Sequence, residues 1–219
     1  MKCTPLARGV LVSTLSGLVL AVSACGSDGP SGSSESSSTT SSATSPAESS
    51  PTASADAPFG AGCAAIPADG PGSVAGMAAA PVGTAAAANP LLSSLVQAVT
   101  AANLVEPLNT APDITVLAPA NPAFDAIPAD QRQAMLADSA QLTAVLLHHV
   151  IQGRLSPAQL PGTHTTLNND SVTIGGSGEA FTIAGEGTVV DTPASVTCGN
   201  VKTANATVYV IDQVLKPAQ

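Results

Sequence analysis

Residues 26–58 decide where this chain can fold. Among those 33 residues stand 13 Ser, 4 Thr, 4 Pro and 3 Gly, and no aliphatic side chain larger than Ala. Such a stretch cannot bury enough apolar surface to offset the entropy of ordering its backbone, so it is expected to be a flexible tether. As a coil of that length it would reach about 30–35 Å on average. Thr39, Thr40, Thr44 and Thr52, beside Pro46 and Pro51, leave two readings open, an O-glycosylated stalk and an unmodified spacer. A packed core is thereby confined to residues 59–219, 161 residues and one domain's worth. With no Trp, one Tyr (Tyr209) and three Phe (Phe59, Phe124, Phe181), that core has to be Ala, Val, Leu and Ile. Little remains for stacking on bases, sugars or flavins. The formal charge of −9 excludes a general nucleic-acid binder.

Ahead of the tether, residues 1–24 read as an export signal. Lys2 and Arg8 form a positive start, residues 9–20 are almost wholly apolar, and Val22-Ser23-Ala24-Cys25 places small residues at a cleavage point. A Cys directly after such a run resembles the bacterial lipobox, in which the thiol receives a diacylglyceryl group and becomes the first residue after cleavage. Cys25 is therefore the predicted lipidation site, and the acyl chains would hold the protein in the membrane, facing outward. Cleavage leaves 4 basic against 15 acidic residues, a charge of −11.

Cleavage also discards Cys3, so with Cys25 acylated only Cys63 and Cys198 remain. Outside the cytoplasm they are expected to pair, closing a loop of 136 residues. Neither belongs to a Cys-x-x-Cys pair or stands near a His or an acid at ligand spacing, which argues against redox or zinc chemistry.

In the folded part the hydrophobic period changes half-way. Residues 73–80 and 82–88 are helix-prone, and Asn89-Pro90 marks a start before Leu91, Leu92, Leu95, Val96 and Val99, one apolar stripe. Residues 114–118 form a β-prone run ended by Pro119, and residues 130–136 and 139–148 read as helices. Residues 165–167, 171–174, 180–184, 188–191 and 208–215 are short β-branched runs. The spacers at 168–170, 175–178 and 185–187 read as hairpin turns. Helices ahead of a strand meander predict an α+β domain.

No motif of known catalytic or cofactor chemistry appears: no nucleophile elbow, Walker loop, zinc-binding His pair or calcium loop. The adjacent His148 and His149 would point about 100° apart on a helix, which suits packing better than a shared metal. His164, in a polar stretch, is expected at the surface. Asp113, Asp125, Asp130 and Asp138 lie at turns and helix starts, where carboxylates cap amides.

Two segments carry a resemblance. Ile114-Thr115-Val116-Leu117-Ala118-Pro119-Ala120-Asn121-Pro122-Ala123-Phe124 resembles the first signature of the fasciclin-like (FAS1) domain. Asn205-Ala206-Thr207-Val208-Tyr209-Val210-Ile211-Asp212 resembles the second, and Leu147-His148-His149-Val150 stands where members carry Tyr-His. Gly62-Cys63, residues 70–74 and Asn89-Pro90-Leu91-Leu92 are similar to the mycobacterial surface lipoprotein antigens and their secreted relatives within that family. The resemblance implies one fasciclin-like domain over residues 85–219, helices packed on a short-stranded β wedge, with residues 59–84 as a disulfide-tied helical extension. It also implies a non-catalytic protein without cofactor or metal, serving adhesion or recognition of a host receptor, a matrix protein or a cell-envelope component. Asn121, Phe124, His149, Tyr209 and Asp212 are its motif positions. His148 replaces the Tyr linked to integrin adhesion in animal members and removes the phenol. Asn121 is expected to cap its own turn, and His149 and Asp212 to satisfy internal hydrogen bonds. The Ala/Val/Leu-rich composition supports an alternative role, carriage of a small apolar ligand or lipid.

Overall fold

The computed structural model describes residues 57–217. The signal segment, Cys25 and most of the tether lie outside the described residues.

Ser73 opens the first helix, α1 (Val74–Ala78), by accepting the Gly76 amide at 3.1 Å. Pro81 separates it from α2 (Val82–Ala88). Asn89 accepts the Leu91 amide at 3.0 Å and leads through a 3-10 turn into α3 (Ser93–Ala101), which buries Leu95, Ala98 and Val99. The next helix, α4 (Val105–Thr110), is hidden in the sequence by Pro107. Proline is tolerated there because it sits in the first turn, where its amide would have no partner. Then follow β1 (Ile114–Pro119), α5 (Asn121–Asp125), α6 (Ala129–Ala137) and α7 (Ser139–His148). Asp138 caps the last of these through the amides of Ala140 and Gln141.

The remaining strands are β2 (Val150–Gln152), β3 (Gly162–Thr165), β4 (Ser171–Ser177), β5 (Ala180–Ile183), β6 (Ala194–Lys202) and β7 (Ala206–Ile211). They form one sheet in the order β2-β1-β7-β6-β5-β4-β3. The strands β3 to β7 are the expected antiparallel meander, and β7 then joins β1 in parallel, Ile114 opposite Ala206 through Pro119 opposite Ile211. The two ends of the sheet meet at an antiparallel bridge between Ile151 and Thr166. The expected wedge is therefore a nearly closed sheet with an interior of its own.

Two cores result. Leu117, Ile151, Phe181, Tyr209 and Ile211 fill the inside of the sheet, while Val116, Ala118, Val208 and Val210 face a second core built with the helices. Alternate residues of β1 and β7 thus serve opposite cores, and every residue of both strands is buried.

The β expectations fail in several places: β3 ends at Thr165 where a run over 165–167 is expected, β7 stops at Ile211 rather than 215, and residues 185–187 form a 3-10 turn rather than a hairpin. Residues 188–191 are not a strand: the Thr188 hydroxyl lies 2.8 Å from the carbonyls of Gly185 and Thr192, and Asp191 turns at φ 53°. Gly175, Gly176 and Ser177 lie within β4 rather than in a turn, and the reversal comes at Gly178, φ 67°. The nine-residue β6 has no period-two pattern because its register against β7 shifts twice, with Asn200 at φ 58°.

The chain before α1 is bound to β6. Phe59 exchanges backbone hydrogen bonds of 3.1 and 2.8 Å with Gly199, and its ring packs on Phe181 and Tyr209 at 5.7 and 6.3 Å. Gly199 is needed there, since a Cβ would lie 2.3 Å from the Phe59 ring. Cys63 and Cys198 form the expected disulfide, their Cα atoms 4.9 Å apart.

Candidate functional site

Of the motif residues expected from the sequence, Phe124, His149 and Tyr209 are buried and Asn121 and Asp212 half-buried. His149 ends α7 with its ring 2% exposed. Its Nδ1 donates to the Val145 carbonyl at 2.7 Å, so Nε2 is left as an acceptor, and it takes the Leu215 amide at 3.0 Å. Burial, only partly offset by the Val145 bond, lowers its pKa to about 4, and neighbouring His148 adds to the shift. The ring is a neutral pin between α7 and the end of the chain. Tyr209 is fully buried, its hydroxyl donating to the Leu155 carbonyl at 3.0 Å, and desolvation raises its pKa above the ordinary phenol value. Phe124 is carried by α5 into the helix-side core. Asp212 accepts the Ser195 amide at 2.6 Å beside the irregular pairing of β6 and β7.

Asn121 departs from expectation. It does not cap its own turn: its Oδ1 accepts the Ser94 amide at 3.0 Å and its Nδ2 donates to the Pro90 carbonyl at 2.8 Å. It caps α3, a helix 27 residues upstream. Asn205, which sequence reading did not single out, does similar work. It accepts the Val82 amide at 2.9 Å and donates to the carbonyls of Leu108 and Ala111, both at 2.8 Å. Asn109 accepts the next amide, Gly83, at 2.9 Å. An Asn in a turn before a strand looks like ordinary turn chemistry, and its long-range partners leave no local signal.

His148 separates from its neighbour. It points the other way, with Nδ1 2.8 Å from Asp170 Oδ1. Asp170, read only as a turn residue, also receives the Thr166 hydroxyl and the Asn168 amide. His164 is half-buried rather than at the surface, with Nε2 2.8 Å from the Leu160 carbonyl.

Two spaces remain. Between α2, α3, α4, β1 and α7 lies an apolar cavity of about 40 Å³, room for a few water-sized molecules and far below the volume of a lipid. Between α6, α7, β4 and β5 lies an open groove of about 820 Å³ with His148 in its wall. Among the described residues no group of three or more His, Cys, Asp or Glu is placed to hold a metal ion, and no single helix is long and apolar enough to cross a membrane.

The decisive comparison is with the fasciclin domain, whose family model matches residues 90–217. The chain belongs to the fasciclin domain family. Among similar proteins, the cell surface glycolipoprotein MPB83 of Mycobacterium bovis is 44% identical over 167 residues, 73% of this chain and 72% of that one. The immunogenic protein MPB70 of Mycobacterium bovis is 42% identical over 176 residues, 77% of this chain and 86% of that one. Both alignments are longer than the family match, so they take in residues outside it. A solved FAS1 domain pair from the insect cell adhesion molecule fasciclin I shares the fold at a TM-score of 0.54 and 15% identity. The match covers 64% of this chain and 52% of that one, so this chain spans about half of the insect pair.

Proposed function

We propose that the protein is an exported, lipid-anchored recognition or adhesion module that performs no catalysis. Cys25 would hold it to the membrane, and residues 26–58 would carry its fasciclin domain outward to a host receptor, a matrix protein or a cell-envelope component. The observation that carries this reading is the 42–44% identity to proteins named as a cell surface glycolipoprotein and an immunogenic protein. The lipobox and the tether supply the means of display.

The geometry narrows the kind of partner. Asn121, Phe124, His149, Tyr209 and Asp212 are occupied with internal contacts, so recognition falls to the outer faces of helices and strands. Those faces are acidic: the described residues hold 11 Asp and Glu against 4 Lys and Arg, a balance of −7. Arg132 faces Asp125, Arg154 faces Asp113 and Lys216 faces Asp191. A neutral or basic partner surface fits this field and a polyanion does not.

The test compares cells that display the full chain with cells that display residues 1–58 alone, on immobilised matrix and host-cell surfaces. Adhesion should be lost with the domain. Equal adhesion by the two strains, with display of both verified by surface labelling, overturns the reading.

A further inference from the structure

The groove beside α7 combines an apolar floor with one sunken polar group. Met135, Val145, Val172 and Ile183 line it, all buried, and its volume of about 820 Å³ lies within the usual range of small-molecule sites. His148 stands among them with 3% of its surface exposed. Its Nδ1 is taken by Asp170 at 2.8 Å, and its Nε2 has no hydrogen-bond partner among the described residues.

The state of that ring follows from Asp170. Burial works to raise the Asp170 pKa, but hydrogen bonds from Thr166, Asn168 and His148 outweigh it and hold the carboxyl below its ordinary value. At neutral pH Asp170 is therefore a carboxylate and can only accept, so Nδ1 carries the proton. Nε2 is then the ring nitrogen that remains to bond a ligand in the groove. A ring nitrogen on a side chain only 3% exposed has little room for water, so a ligand group that reaches it gains a hydrogen bond.

We propose that the groove binds an uncharged amphiphile whose head donates a hydrogen bond to Nε2 of His148 and whose chain lies along Met135, Val145, Val172 and Ile183. The lining selects this class. The four floor side chains suit an alkyl chain, and no Phe, Tyr or Trp lines the groove to stack on a sugar face. A carboxylate head would meet Glu186 in the same wall, and Lys216 at the rim is already bound to Asp191 at 2.8 Å. The site is separate from the acidic outer faces invoked for adhesion, and it stands or falls without that reading.

The experiment uses residues 26–219, which retain both cores and the disulfide, and two probes with the same chain. One is 1-decanoylglycerol, which carries hydroxyl donors, and the other is methyl decanoate, which has none. Each is titrated below its aggregation concentration while the imidazole nitrogens of His148 and the methyl groups of Val145, Val172 and Ile183 are followed by NMR. The glycerol ester should shift these signals saturably and bind at least tenfold more tightly than the methyl ester. His148→Phe should remove that preference. Ala134→Trp, at an exposed α6 position on the groove wall, should block both probes while the amide spectrum stays native, and it serves if His148→Phe does not fold. Equal binding of the two probes, no binding of either, a preference that survives His148→Phe, or shifts unaffected by Ala134→Trp would each overturn the proposal.

Discussion

Acid should loosen this domain through a single ring. His149 is neutral in the folded protein, its pKa lowered to about 4 chiefly by burial, against 6.5 for the ordinary side chain. Between those values the unfolded chain binds a proton that the folded chain refuses, so folding stability rises with pH across the window. The contribution is fully present above pH 6.5 and is lost as pH falls toward 4. At 1.36 kcal/mol per unit, the loss is about 2–3 kcal/mol by pH 4.5. The geometry explains why relaxation does not cancel it: a proton on Nε2 would face the Leu215 amide, setting donor against donor where a 3.0 Å hydrogen bond now ties α7 to the chain end. Urea unfolding at pH 7.5, 6.5, 5.5 and 4.5 measures the effect. His149→Gln should be less stable at pH 7.5 yet lose less on acidification, and the difference between the two curves isolates His149 from the carboxylates. Parallel curves for the two proteins would refute the reasoning. Asp170, whose pKa is lowered, acts in a separate window, since its contribution is lost only as pH falls below the ordinary carboxylate value.

Two further outcomes are expected. Replacing Cys63 and Cys198 by Ala opens the 136-residue loop and should cost about 5 kcal/mol by the chain-entropy relation, read as a lower urea midpoint than that of the oxidised parent. Asn205→Ala leaves the Val82 amide and the Leu108 and Ala111 carbonyls without their partner and should cost about 2–4 kcal/mol in the same assay, with early hydrogen exchange at the start of α2.

The sequence exposes what local chemistry fixes. The Asn89-Pro90 start, the Asp138 cap and the alternation Val172, Ile174 on β4 are written in neighbouring residues, and each appears in the fold. The strands β1 and β7 announce themselves as β-branched runs, but their parallel pairing joins residues 92 apart and leaves no local trace. β6 is hidden because its register shifts break the alternation, and residues 188–191 mislead because their β-branched side chains sit in a turn held by Thr188. The same division holds at the candidate sites. The inward role of His149 and Asp212 is legible from their chemistry, whereas the groove and the His148–Asp170 pair arise where α7 meets the β3–β4 turn. Asn121 shows the limit most plainly: the residue type says that it caps, and only the fold says which helix.

The disulfide also sets how far this protein can be stretched. A pull on the chain from the tether side enters at residue 57 and reaches Cys63 within six residues, where the covalent link passes it to Cys198 on β6. Residues 64–197 lie inside the closed loop and carry none of that tension along their backbone. Under a load between the two ends of the domain, only residues 57–63 and 198–219 can pay out, at about 3.3–3.6 Å each. The helices and strands β1 to β5 lie within that loop and are thereby shielded from tension along their own backbone while the bridge stays oxidised.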